Sequence, residues 1–303
     1  LDVLRRVTTS GDPALQRLCV TALARIDDPA AQACLADLAL TADPAVALAA
    51  VSKIWGRALL LPRRPARARA EILIDQAVHL TRAIAVLNRD DDMGLAIAAL
   101  RHEARQRLDL ALALVMICDP HLVGTRPAFA SVMRFGSGDP GYADEHFELA
   151  LPPRLRPAAL LALGGAQDTG DSRRLAALAS AVPDQPGKCL AWLQAGPIPL
   201  SAWSRLCLAN LAPPGSKIGG TQSMDVLEKV MILKSVDLFA GIEDVYLAEF
   251  APVVEELFLD PGQALIAAGS MGTTLYIVVN GSLGVERNGV EIARLGRFDV
   301  AGE

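Results

Sequence analysis

Asp-Pro-Ala recurs at Asp12, Asp28 and Asp43, with spacings of 16 and 15 residues, and this repeat sets the architecture expected of the N-terminal part of the chain. An Asp side chain caps the free backbone N–H groups of a helix start, and proline in the first turn lacks an N–H that would otherwise go unpaired. Three consecutive short helices are expected. Leu15, Leu18, Cys19 and Ala22, then Ala31, Cys34, Leu35 and Leu38, then Val46, Leu48, Ala49 and Ile54 keep broadly helical spacing, so each helix offers an apolar face to its neighbours. Hydrophobic residues make up 52% of the chain and aromatics only 4%, so the apolar content is mostly Ala, Leu and Val, as in packed helices.

The 303 residues exceed the usual size of one domain, and two are expected. From Glu71 to Leu114 the pattern predicts two or three longer amphipathic helices, separated by a turn at Asn88 to Asp92. The three aspartates of that turn lack the alternating ligands and central glycine of an EF-hand and read as helix-capping residues. Arg63, Arg64, Arg67 and Arg69 read as a solvated loop bounded by Pro62 and Pro65, with lipid headgroups or a phosphorylated partner as the other reading. No histidine has a second histidine three or four residues on, and in RHEARQRL the zinc motif's second histidine is Gln106. The five cysteines are widely separated and read as small buried hydrophobes of a reducing compartment. The longest apolar run, Leu108 to Ile117, is interrupted by Asp109 and falls short of the roughly 18 residues a membrane helix needs. A net charge of -5 gives no general attraction to nucleic acid or anionic membrane, and no nucleic-acid partner is expected. No nucleophile, metal or phosphate-loop constellation is recognisable, so the chain is not expected to be an enzyme and no cofactor is assigned.

Near Leu211 the composition changes. LAPPGSKIGGTQS, residues 211–223, reads as a linker. A short amphipathic helix at Met224 to Leu233 follows, and then β-branched runs broken by glycine: Asp260-Pro261-Gly262, Ala268-Gly269-Ser270, Leu275 to Gly281, and Asn288-Gly289 between Val285 and Ile292. Strands of five or six residues with turns at this spacing predict a small antiparallel barrel or jelly roll, and Asn-Gly is a type I′ hairpin signal.

Two resemblances sharpen this reading. The Asp-Pro helix starts and aliphatic stripes from Leu1 to about Leu61 resemble HEAT-type repeats, although a period of about 31 residues per helix pair is short for them. The C-terminal stretch resembles the cyclic nucleotide-binding domain, through Leu233, Phe239-Ala240-Gly241, the helix at Ile242 to Phe250, LYIVVNG at Leu275 to Gly281, and LGRFDVAGE against the family's LGxGDxFGE. The segment EHFELALPPRLR is similar to the repeat region of bacterial transporter-like proteins that join a membrane carrier to helical repeats and a cyclic-nucleotide domain. These resemblances imply an α + β multidomain chain: a HEAT-like α-helical solenoid over 1–210, a linker over 211–223, and an antiparallel β-roll over 224–303 that stops before the family's fold is complete. They imply that Ala301, Gly302 and Glu303 open the cassette for the cyclic phosphate and ribose. Gly302 would allow close approach, Glu303 would accept from the ribose 2′-hydroxyl, and the phosphate-binding arginine would come later. Phe298 stands where the family has glycine, and Ala301 where it has Phe. The function implied is a sensor for cAMP or cGMP within a larger bacterial protein, on the cytoplasmic side of an inner-membrane domain further upstream, with a protein partner on the repeats. The other reading is an interaction scaffold whose β-roll binds no nucleotide.

Overall fold

The computed structural model describes residues 2–9, 12–56, 61–88, 93–118, 151–163, 172–211, 224–267, 269, 273–287 and 289–302. Among these residues the chain is mostly helical, with a small antiparallel strand region at its C-terminal end. It divides into two compact units, Leu1–Ser204 and Arg205–Glu303. This boundary lies a few residues before the 211–223 linker read from composition, of which 212–223 lie outside the described residues.

In the first unit, after a short α1 (Asp2–Thr8), the three helices α2 (Pro13–Leu23), α3 (Pro29–Thr41) and α4 (Pro44–Gly56) form where the Asp-Pro-Ala repeat places them. Asp12 Oδ1 accepts from Ala14 N at 2.8 Å, Asp28 Oδ1 from Ala30 N at 2.6 Å and Asp43 Oδ1 from Ala45 N at 3.0 Å, and a proline opens each helix. The second and third stripes meet in a single core that buries Leu35, Leu38, Val46 and Ile54, whereas α2 enters that core through Val20 and Leu23 and leaves Leu15 and Leu18 exposed.

Two long helices, α5 (Arg63–Leu87) and α6 (Gly94–Ile117), run beside each other, α4 packs on α6, and α5 carries α7 (Arg156–Ala162), α8 (Ser172–Ser180) and α9 (Pro186–Gln194) on its other sides. Every residue from Leu110 to Ile117 is buried, as expected of a helix segment apolar on all sides. No helix among the described residues is long and apolar enough to cross a membrane.

The arginine-rich stretch is not the loop its prolines suggest. Helix α5 begins at Arg63, and Pro65 falls in the first turn, where a backbone N–H has no intrahelical acceptor and its loss costs nothing. Arg63 Nε donates to the carbonyl of Cys118, the C-cap of α6, at 3.0 Å, and Arg69 Nη2 donates to that of Ala42, the C-cap of α3, at 2.9 Å. Both place a cation against the negative end of a helix dipole. Arg64 and Arg67 are exposed.

The last helix of this region, α10 (Ala202–Ala209), contains the boundary between the units. In the second unit, α11 (Val226–Lys234) starts with a reciprocal capping box between Asp225 and Glu228, and α12 (Asp244–Phe250) packs on it with Lys234 Nζ 2.7 Å from Asp244 Oδ1. The strands are β1 (Tyr276–Ile277), β2 (Leu283–Arg287), β3 (Val290–Leu295) and β4 (Val300–Ala301). They form two antiparallel ladders, β1 with β4 and β2 with β3. The β2–β3 hairpin closes at Arg287↔Val290, with Gly289 at φ +76°, where the Asn-Gly signal predicts a turn; Asn288 itself lies outside the described residues.

Candidate ligand cassette and a buried ion pair

The 275–281 and 296–302 segments come together. Tyr276 pairs with Ala301 and Ile277 with Val300, and the ladder continues through Val278 N to Asp299 O at 3.0 Å and Phe298 N to Val278 O at 2.7 Å. A tight turn joins this ladder to β3: Asp299 N donates to Gly296 O at 3.1 Å, and Gly296 N donates to Asp299 Oδ2 at 2.7 Å.

Among the described residues Phe298 is the only non-glycine with positive φ, at +70°. The position that holds glycine in the resembled pattern therefore keeps the backbone that favours glycine while carrying a bulky side chain. The guanidinium of Arg297 sits 4.6 Å from the Phe298 ring centroid, a modest compensation for the left-handed backbone. Phe298→Gly is expected to stabilise the second unit by about 0.5–1 kcal/mol, since relief of the αL cost exceeds the lost ring contact. Higher amide protection at Val278 and Asp299 checks it, and lower protection would show that the ring contact dominates.

Of the three cassette residues, Ala301 is half-buried in β4, Gly302 has φ +101°, and Glu303 lies outside the described residues. A Cβ on Gly302 would collide with the carbonyl oxygen of Thr274. The close approach that Gly302 permits in this structure is thus to the chain itself, at the strand that opens LYIVVNG.

The second polar constellation escaped sequence reasoning. Glu103 and Arg107, one turn apart on α6, are 3% and 1% exposed. Arg107 Nη1 donates to Glu103 Oε2 at 2.5 Å and to the Glu103 carbonyl at 3.0 Å, Nε to Gln76 Oε1 of α5 at 3.2 Å, and Nη2 to the Pro199 carbonyl. Glu103 Oε1 accepts from Ser201 N and from Ser204 Oγ, both at 2.8 Å, and Ser201 Oγ donates to Ser204 Oγ. One pair of charges thereby joins α5, α6 and the start of α10. Burial pushes the Glu103 carboxyl up, but Arg107 and the Ser201 donors outweigh it and hold the group below its ordinary value. Asp43 moves the other way, raised by its burial.

His79 of α5 meets Trp192 of α9 edge-on at 6.1 Å, and burial lowers its pKa. The described His79 and His102 are on separate helices, His121 and His146 lie outside the described residues, and no group of His, Cys, Asp or Glu suited to a metal ion occurs among the described residues. The five cysteines are free, and burial pushes Cys189 up to about 11 and Cys207 to about 12, so both are neutral thiols at physiological pH.

No family model matches this chain, and neither curated proteins nor solved structures yielded a match.

Proposed function

We propose that this chain is a regulatory segment: a HEAT-like helical stack that carries a β-roll of the cyclic nucleotide-binding type, with cAMP or cGMP as ligand. The observation that supports it best is the β1–β4 ladder, which sets Leu275 to Gly281 beside Val300 to Gly302, the two stretches whose residues carry the resemblance. In this reading the backbone at Ala301 and Gly302 flanks the ligand, and Glu303 accepts from the ribose 2′-hydroxyl. A ligand that prefers one arrangement of this segment shifts the population toward it, and a partner on the helical stack reads the shift. As a segment of a larger protein, the chain would act on the cytoplasmic side of a membrane carrier.

Titration with cAMP and cGMP, followed through backbone amide resonances, tests the proposal. No arginine among these residues is assigned to the phosphate, so weak binding is expected, with a Kd of about 1 mM. Shifts should concentrate at residues 274–278 and 300–303 and disappear in Glu303→Gln. Absence of shifts at about 10 mM nucleotide, or shifts that ignore the substitution, would overturn it.

A further inference from the structure

Helix α12 is apolar on two separate sides. Leu247 and, directly after the helix, Ala251 are 2% and 0% exposed on the side that meets the rest of its unit. Tyr246, Phe250 and Val253, spaced i, i+4 and i+7 along α12 and the 3-10 turn that continues it, are 54%, 47% and 68% exposed. Large exposed apolar side chains in one stripe mark a contact surface. The adjoining chain adds Leu257 at 60% and Phe258 at 81% exposure.

The charge around this stripe states what can cover it. Between Lys234 and Arg287 the sequence contains no lysine or arginine, and the two lysines of α11 that reach this region are already engaged, Lys234 with Asp244 and Lys229 with the Val254 carbonyl, whereas Asp237, Glu243, Glu249, Glu255 and Asp260 are all exposed. A second copy would bring the same carboxylates against these, and an anionic lipid surface would be repelled as well. A partner that supplies both apolar anchors and cations is complementary on both counts.

We propose that the Tyr246–Phe250–Val253 face docks a basic amphipathic helix of a protein partner, with aliphatic anchors at i, i+3/i+4 and i+7 set on the stripe and Lys or Arg side chains on its acidic rim. This surface rests on α12 and its exposed side chains, not on nucleotide binding, so loss of cAMP binding leaves it standing.

The test uses the full chain and a fluorescent helical peptide of Leu and Lys, about 18 residues long, with an otherwise identical Leu/Glu peptide as control. Anisotropy should show micromolar binding of the Lys peptide and at least about tenfold weaker binding of the Glu peptide. Val253→Ser and Phe250→Ser, at exposed positions and checked for unchanged far-UV circular dichroism, should each weaken the Lys peptide about tenfold. Phe250 also lies 6.5 Å from Phe239 by ring centroid, so Val253→Ser remains decisive if the Phe250 variant unfolds. Affinity that ignores Val253→Ser, or equal binding of the two peptides, would overturn the proposal. So would self-association, or binding to phosphatidylserine vesicles, that Val253→Ser abolishes while the Lys peptide still binds.

Discussion

Glu103→Leu is expected to lower the unfolding free energy of the helical unit by about 3–5 kcal/mol, because it leaves a buried guanidinium without its carboxylate. Arg107 cannot escape by losing its proton, and the acceptors that remain, the Gln76 amide, the Pro199 carbonyl and the Glu103 carbonyl, are all neutral. Arg107→Met should cost a similar amount near neutral pH but behave differently with pH. In the wild-type protein the carboxyl of Glu103 is held below its ordinary value, so its stabilisation is present above the unfolded pKa and is lost as pH falls through the folded one. Without Arg107 the same carboxyl is governed by burial, takes up a proton earlier, and donates rather than holding an uncompensated charge. The destabilisation of Arg107→Met should therefore shrink between about pH 7 and pH 4.5, while that of Glu103→Leu should not. All three tryptophans, Trp55, Trp192 and Trp203, lie in the first unit, so urea melts followed by their fluorescence report on it alone. A loss below about 1 kcal/mol for both substitutions, or parallel pH profiles, would show that the pair does not hold α6 to its neighbours.

Much of the helical unit was legible because its signals are local. Asp12, Asp28 and Asp43 cap the very helices they announce, since a cap needs only its own next turn. Arg63 to Arg69 misled because Pro62 and Pro65 read as loop punctuation, whereas a helix tolerates proline in its first turn. Glu103 and Arg107 lie within RHEARQRL, which fails as a zinc motif at Gln106 and so carries no signal of its own. The available signal was their place in the stripe Leu100, Glu103, Arg107, Leu110 and Leu114, where two charges interrupt an otherwise apolar face. At the other end, glycine marked the turns, but it did not set the faces. Val285, Val290 and Ile292 alternate as a buried strand face would and are exposed here, since the burial of a two-stranded hairpin depends on what covers it. Phe298 was visible as a departure from the resembled pattern, yet only its φ of +70° shows that the position keeps the backbone glycine would favour.

Gly302→Val is expected to open the β1–β4 ladder, the second large effect in the chain. Two costs coincide at this residue. A φ of +101° lies outside the basins open to a β-branched residue, and the added Cβ collides with the backbone carbonyl of Thr274, which cannot swing aside as a flexible side chain would. Strain of this kind costs about 1–3 kcal/mol from the backbone alone, and the ladder has little to set against it: β1 and β4 are two residues each, extended by the bonds between Val278 and its partners Asp299 and Phe298. The readout is amide exchange at Val278 and Phe298, which should lose roughly tenfold or more of their protection, while the tryptophan-monitored stability of the first unit stays unchanged. Gly302→Ala, with the same collision but a smaller side chain, should produce an intermediate loss. If both variants keep wild-type protection, the chain beyond Ala301 is free to move away from Thr274, and Gly302 is not required by contact with its own backbone. If protection falls but cAMP-dependent shifts at residues 274–278 persist, the ladder and the ligand site are separable, and the nucleotide reading loses the pairing of β1 with β4 as its support.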